Sequence, residues 1–164
     1  MDRKTKFLTH AATIAALYFV LTLIANAAGL ASGVIQVRLS EVLTIMPVFT
    51  PAAIPGLFVG CLISNALTGC LPWDIVFGSI ATLIGAIGTR LLRNKHPLLY
   101  PVPPILANCI IVPFILQYVY QFEGSYFYFM LTVGIGEVIA CGVLGLLLYK
   151  ALNRPSVKRY IEIH

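Results

Sequence analysis

Charge is what this sequence has least of. Asp, Glu, Lys and Arg make up only 10% of its 164 residues, against 59% apolar ones. Soluble globular domains carry about 25% charged residues, so that class is excluded. No Gly-x-x-x-x-Gly-Lys-Ser/Thr run occurs, so the chain has no phosphate-binding loop for hydrolysing ATP. His-Glu-x-x-His and nucleophile-elbow patterns are absent too, so the usual parts of a hydrolase are missing. Cys61, Cys70, Cys109 and Cys141 form no Cys-x-x-Cys pair and lie within or at the ends of apolar runs. They read as small buried hydrophobes. The histidines, His10, His96 and His164, are scattered and suggest no metal site. The expectation is a chain with no catalytic residues, no metal and no cofactor of its own.

Long apolar runs are what the sequence does have. Broken at Pro, Gly and charge, they cover about 7–29, 40–49, 51–69, 72–92, 101–122 and 125–152. A spanning helix needs about 20 mostly apolar residues. Five of the runs meet or approach that length. The second does not: ten residues of α-helix reach only about 15 Å, so it must be half-buried, tilted or continuous with the loop before it. The first run is too long for a signal peptide, and no small-residue cleavage site stands out. The expectation is an all-α integral membrane protein, residues 1–164 forming a single transmembrane domain with six crossings.

The basic residues orient it. Arg3, Lys4 and Lys6 precede the first run, Arg90, Arg93 and Lys95 follow the fourth, and Lys150, Arg154, Lys158 and Arg159 follow the sixth. Six crossings put all three groups on one side, with both termini cytoplasmic by the positive-inside rule. Five or seven would split them. The net charge of +5 therefore reports topology and no nucleic-acid partner.

Prolines punctuate the boundaries. Pro47, Pro51 and Pro55 mark an uncharged turn between the second and third runs, and Pro72 opens the fourth, where its missing N–H costs nothing. Pro113 lies inside the fifth run and predicts a kink that frees the Cys109 carbonyl. Residues 30–37 form an outer loop of strand-like character. Small residues recur at helix-packing spacing: Ala11/Ala15 and Ala12/Ala16 on the first helix, Gly56/Gly60/Ser64 on the third, and Gly78, Ala81 and Gly85 on the fourth. The glycine ridges read as internal packing; the alanines fit either internal packing or another subunit.

Polar side chains inside a bilayer are costly and so point to function. They are Asn26, Gln36, Arg38, Glu41, Asn65, Asp74, Asn108, Gln117 and Glu137. Counted from the turn near Glu123 along antiparallel helices at 1.5 Å per residue, Asn108 and Glu137 fall at one level near the midplane. The turn near Cys70 sets Asn65 and Asp74 level in the same way, with Trp73 beside Asp74. Arg38 and Glu41 are three apart and share a helix face if the helix begins early enough. Most of these groups fall in the outer half, where they can line one outward pocket. Three acids (Glu41, Asp74, Glu137) against one base (Arg38) suit a ligand that is cationic or rich in hydrogen-bond donors. Trp73 offers a stacking face. Each has a plainer alternative: an Arg38–Glu41 salt bridge, an interfacial Trp73, an Asn65 that only links helices. The aromatics from Tyr118 to Phe129 read as an interfacial belt.

With these residues in view, the sequence resembles the QueT family, the substrate-binding S components of energy-coupling factor (ECF) transporters for queuosine precursors. The resemblance is carried by QVRLSEVLTIMPVFTPAAIPGLFVGCLISN at 36–65, WDIVFGSIATL at 73–83, PPILAN at 103–108 and GEVIACGVLG at 136–145. It implies a six-helix S-component bundle in the cytoplasmic membrane of a prokaryote and uptake of a 7-deazaguanine such as preQ1. Its partners would be a membrane T component and two ABC-type ATPases that use the ATP, with toppling of the S component in the membrane. It also implies that Ala11, Ala12, Ala15 and Ala16 contact the T component and that the loop 30–37 covers the solute. Glu137 or Asp74 would take the ligand's donor edge, Asn108 its ring carbonyl, Trp73 its ring and whichever acid remains the protonated aminomethyl group of preQ1, with Asn65, Glu41 and Arg38 completing the site. Another vitamin-like base or nucleoside is the alternative solute; a membrane-embedded enzyme or sensor is the alternative class.

Overall fold

A computed structural model describes residues 2–30, 36–155 and 161. All regular structure among them is helical. The elements are α1 (Arg3–Ala27), a 3₁₀ segment (Leu39–Val48), α2 (Ala53–Leu67), α3 (Pro72–Leu91), a short 3₁₀ turn (Pro97–Leu99) and α4 (Val102–Tyr118). The last rod is continuous: α5 (Tyr126–Glu137), a π segment (Val138–Leu144) and α6 (Gly145–Leu152). Four stretches are long and apolar enough to cross a membrane: Arg3–Ala27, Pro72–Leu91, Pro97–Tyr118 and Tyr126–Leu152. Leu39–Val48 and Ala53–Leu67 are apolar but shorter.

The rods run alternately up and down. α1 packs on α2, α2 on α3, α3 on α4 and α4 on α5, while the 3₁₀ segment stands in the middle against α1, α3, α6 and the π segment. This central position explains its geometry. At about 2.0 Å per residue, ten residues of 3₁₀ helix reach about 20 Å where an α-helix would reach 15 Å. Ser40, Glu41, Leu43, Thr44, Ile45 and Pro47 along it are all buried. At its far end the Arg90 guanidinium donates to the carbonyl oxygens of Pro47 (2.9 Å) and Val48 (3.2 Å), closing off acceptors that Pro51 and the turn leave free.

Close approach depends on residues without side-chain bulk. A Cβ on Gly56 would lie 2.7 Å from the Ala11 carbonyl oxygen, and one on Gly60 would lie 3.0 Å from the Ala15 Cα. The glycine ridge of α2 therefore docks on Ala11 and Ala15. Those two alanines are half-buried, while Ala12 and Ala16, one position on, are exposed. The expected four-alanine outer face is thus divided, with only Ala12 and Ala16 left on it. Gly85 meets Pro104 in the same way, its Cβ position 2.7 Å from the proline Cα. α4 continues as helix through Pro113, and the Tyr126 hydroxyl donates to the nearby Ile110 carbonyl at 2.9 Å.

The outside of the bundle is apolar. Leu17, Leu23, Leu62, Leu67, Ile84, Leu106, Ile110, Leu131 and Val143 are among many large hydrophobics left exposed. Scattered over every rod, they form a surface suited to lipid rather than water.

Candidate functional site

A cavity of about 240 Å³ opens at the end of the bundle opposite the N terminus. One wall is a stripe on α1, where Tyr18, Thr22 and Asn26 recur at helical spacing. Arg38 and Ser40, where the chain enters the 3₁₀ segment, form the second wall. Asn65 and Thr68 of α2, Asp74 of α3, and Tyr120 and Phe122 beyond α4 close the rest. Sites for drug-sized ligands run to about 300–1,000 Å³, so this one suits a solute smaller than those.

Asp74 sits in the first turn of α3, two residues after the proline that starts the helix, where the helix dipole favours a carboxylate. It is 4% exposed. Its Oδ2 accepts from the Tyr120 hydroxyl at 2.9 Å, and that hydroxyl accepts from the Leu71 N–H at 3.2 Å. Burial, opposed by the Leu71 N–H and reinforced by the Asp74 carboxylate, holds the Tyr120 phenol above its ordinary pKa, so it remains the donor. Asp74 Oδ1 has no hydrogen-bond partner among the described residues. It shares the space over Gly78 with the Asn65 amide: a Cβ there would lie 3.1 Å from Asn65 Nδ2 and 3.2 Å from Asp74 Oδ1. Tyr120 and Phe122 stack at 5.5 Å between centroids and 25° between planes, presenting an aromatic face at the cavity wall.

Below the cavity lies a second polar group. Glu41 is 1% exposed and Glu137 5%. Glu41 Oε1 accepts from the Tyr18 hydroxyl and, at 3.4 Å, from Thr82 Oγ1; its Oε2 has no partner among the described residues. The Cys141 thiol donates to Glu137 Oε2 at 3.1 Å. Asn108, 3% exposed, is buried in the same layer. The π segment that starts after Glu137 carries Cys141 to the same side as Glu137, facing Thr44 and the Glu41 carbonyl. One oxygen from each glutamate and the Cys141 sulfur lie within 4.8 Å of one another. That spacing fits a shared proton or an ion, but the thiol–carboxylate hydrogen bond already occupies part of it.

The residues singled out in the sequence therefore fall into two layers. Asn65 and Asp74 border one space over Gly78, and Asn108 lies in the same layer as Glu137. Arg38, Asn65 and Asp74 border the cavity; Glu41, Asn108 and Glu137 lie beneath it, joined to it through Tyr18, which touches both. Trp73 is corrected: it is 62% exposed, stacks on Phe77 at 5.9 Å and lines an outer apolar groove with Phe114 and Tyr118, apart from the cavity. The aromatic face comes instead from Tyr120 and Phe122, which the belt reading had absorbed. Tyr18, Thr22 and Thr82 were missed as well; the Tyr18/Thr22/Asn26 stripe is the signal that reveals the first two. Of the loop 30–37, residues 31–35 lie outside the described residues; its ends are tied by the Val37 N–H donating to the Leu30 carbonyl at 3.0 Å.

An apolar-coated bundle around buried carboxylates and a small polar cavity open at one end defines a multi-pass membrane protein that holds a solute. The model of the QueT transporter family matches residues 8–154, and the chain belongs to that family. A curated relative, the queuosine precursor transporter QueT of Lactococcus lactis subsp. cremoris (strain MG1363), is 35% identical over 82 residues. The match covers 49% of this chain and 47% of that relative, about half the length of each. No solved structure matches significantly.

Proposed function

We propose that the chain is the solute-binding S component of an ECF-type importer for a queuosine precursor, a 7-deazaguanine such as preQ1. In this reading it crosses the cytoplasmic membrane of a prokaryote six times with both termini inside. It binds no cofactor and relies on a T component and two ABC-type ATPases, which use the ATP. Family membership and the relative's name support the solute class. The alternating rods support six crossings, although α2 and the 3₁₀ segment, each about 20 Å long, cover only about two-thirds of the ~30 Å of hydrocarbon. Arg3, Arg90 and Lys150 all sit at the end away from the cavity, which supports a cavity that faces outward.

The observation that carries the solute reading is Asp74, a buried carboxylate at the cavity wall with one oxygen unpartnered. Such an oxygen calls for a donor from the ligand. Arg38, a guanidinium at the same wall, meets a ring carbonyl, and the Tyr120–Phe122 face stacks on the bicyclic ring. Equilibrium binding of preQ1, preQ0, queuine and queuosine to the purified chain tests this. Saturable binding of at least one, with thermal stabilisation and no turnover, is expected. Binding of none would overturn the reading.

A further inference from the structure

The arrangement around Asp74 says more about which ligand group it meets, granted the solute class proposed above. A guanine-type ring edge offers two adjacent N–H donors, which a carboxylate reads best with both oxygens free in one plane. Asp74 does not offer that. Oδ2 is engaged by the Tyr120 hydroxyl at 2.9 Å, and Tyr120 is itself fixed by the Leu71 N–H at 3.2 Å. The carboxylate is thereby anchored from the α4–α5 loop to the start of α3, with Oδ1 as its single unpartnered acceptor. Asn65 and Thr68, on the neighbouring helix, are polar groups of the same cavity that can meet the ring's own donors.

Charge points the same way. Arg38 is the one basic residue among the cavity-lining groups, and its field is shared among Asp74 and Glu41 on two different elements. With Glu137 beneath, three buried carboxyl groups face one guanidinium, and even with one proton held between Glu41 and Glu137 one negative charge is left over. A neutral ligand leaves that balance as it stands, whereas a ligand carrying one positive charge improves it.

We infer that Asp74 reads a single alkylammonium on the ligand rather than the ring's donor edge, and that Tyr120 is the positioning residue that restricts it to this role. The site thus selects 7-deazaguanines bearing a protonated aminomethyl arm over those with an uncharged substituent at the same carbon.

The test compares 7-aminomethyl- and 7-cyano-7-deazaguanine, matched in ring and differing in charge, on the full chain in lipid nanodiscs by calorimetry. Wild type is expected to prefer the amine by about tenfold or more, the scale of one desolvated charge-assisted hydrogen bond. Asp74→Asn is expected to remove that preference, weakening the amine about tenfold more than the cyano compound. Tyr120→Phe, which deletes only a hydroxyl, is expected to narrow the amine-to-cyano ratio with the melting profile retained. An equal loss for both ligands in Asp74→Asn, or no preference in wild type, overturns the inference but leaves the solute class standing. Binding of neither ligand by wild type overturns both. Should Asp74→Asn fail to fold, the Tyr120→Phe ratio decides: a ratio unchanged from wild type overturns the assignment.

Discussion

Tyr18 connects the two polar layers through one hydroxyl. Its ring is 2% exposed in the core with Ile14, Leu43, Leu57 and Cys61, and its oxygen donates to Glu41. Removing a donor from a buried charged acceptor costs about 1.5–3 kcal/mol. Tyr18→Phe should therefore lower the thermal midpoint of the ligand-free protein in detergent. Thr82→Val removes a longer, 3.4 Å contact to the same oxygen, from a hydroxyl that also reaches the Gly78 carbonyl and Cys61, and should lower it less. The aromatic residues give a second prediction. Trp73 points away from the cavity, so Trp73→Ala should leave solute affinity within about twofold of wild type. Phe122→Ala should weaken it about three- to tenfold, the ~0.5–1.5 kcal/mol of a stacked pair. Parallel titrations of the two variants distinguish the stacking face seen in the structure from the one the sequence suggested. The exchange has a local cause. α4 ends at Tyr118, and Gln121 adopts a left-handed φ of 54°, so the chain folds back and brings Tyr120 onto Asp74. Hydropathy cannot distinguish an aromatic in such a turn from one in an interfacial belt, because both sit at the end of an apolar run.

The unusual elements are the two that build the deep layer. Apolar length located both: 40–49 as a run too short to cross as α-helix, and 125–152 as one long rod. It could not give their helix type. A 3₁₀ segment arises where a short stretch must cover extra distance between fixed neighbours, and a π segment where one turn admits an added residue; both are set by packing partners distant in sequence. The depth of Glu137 was legible because rise per residue is local arithmetic, and its i,i+4 neighbour Cys141 follows from helical spacing; the meeting of Cys141 with Thr44 and the Glu41 carbonyl was not legible, because it depends on the register of the π segment against the 3₁₀ segment. Gly136 shows how tightly that register is held. A Cβ there would run into the carbonyl of Gln36, on the stretch that leads into Arg38 and the 3₁₀ segment. Gly136→Ala should cost about 1–3 kcal/mol, the usual penalty of overpacking, and should weaken solute binding by displacing Arg38. Gly142→Ala on the same rod is the control: its nearest neighbour would be Val138 Cγ1 at 3.8 Å, an ordinary contact. It should be neutral or stabilising by up to about 1 kcal/mol. Urea or thermal melts of the two variants, with binding titrations, check both signs.

For the whole molecule, the question is where the chain would meet the subunits proposed to drive it. Small residues allow close approach between helices in lipid, but α1 applies them in two directions. Ala11 and Ala15 are already engaged by Gly56 and Gly60 of α2. Ala12 and Ala16 are exposed on the same two turns, beside Leu8 and Leu17, both also exposed. They lie toward the end carrying Arg3 and Lys4, away from the cavity, so a partner there would not touch the solute. The two functions are therefore separable by mutation. Ala12→Leu with Ala16→Leu should leave the melting profile and solute affinity of the isolated chain unchanged while abolishing copurification with the T component and uptake by cells. Ala15→Leu should act differently, because the new side chain would meet the Gly60 backbone, where a Cβ already comes within 3.0 Å of Ala15. That variant should lose about 1–3 kcal/mol of stability and lower the amount of folded protein whether or not a partner is present. If the Ala12/Ala16 pair copurified and transported like wild type, the partner face would lie elsewhere on the bundle. If instead it melted like Ala15→Leu, the exposed side of α1 would be part of the chain's own packing.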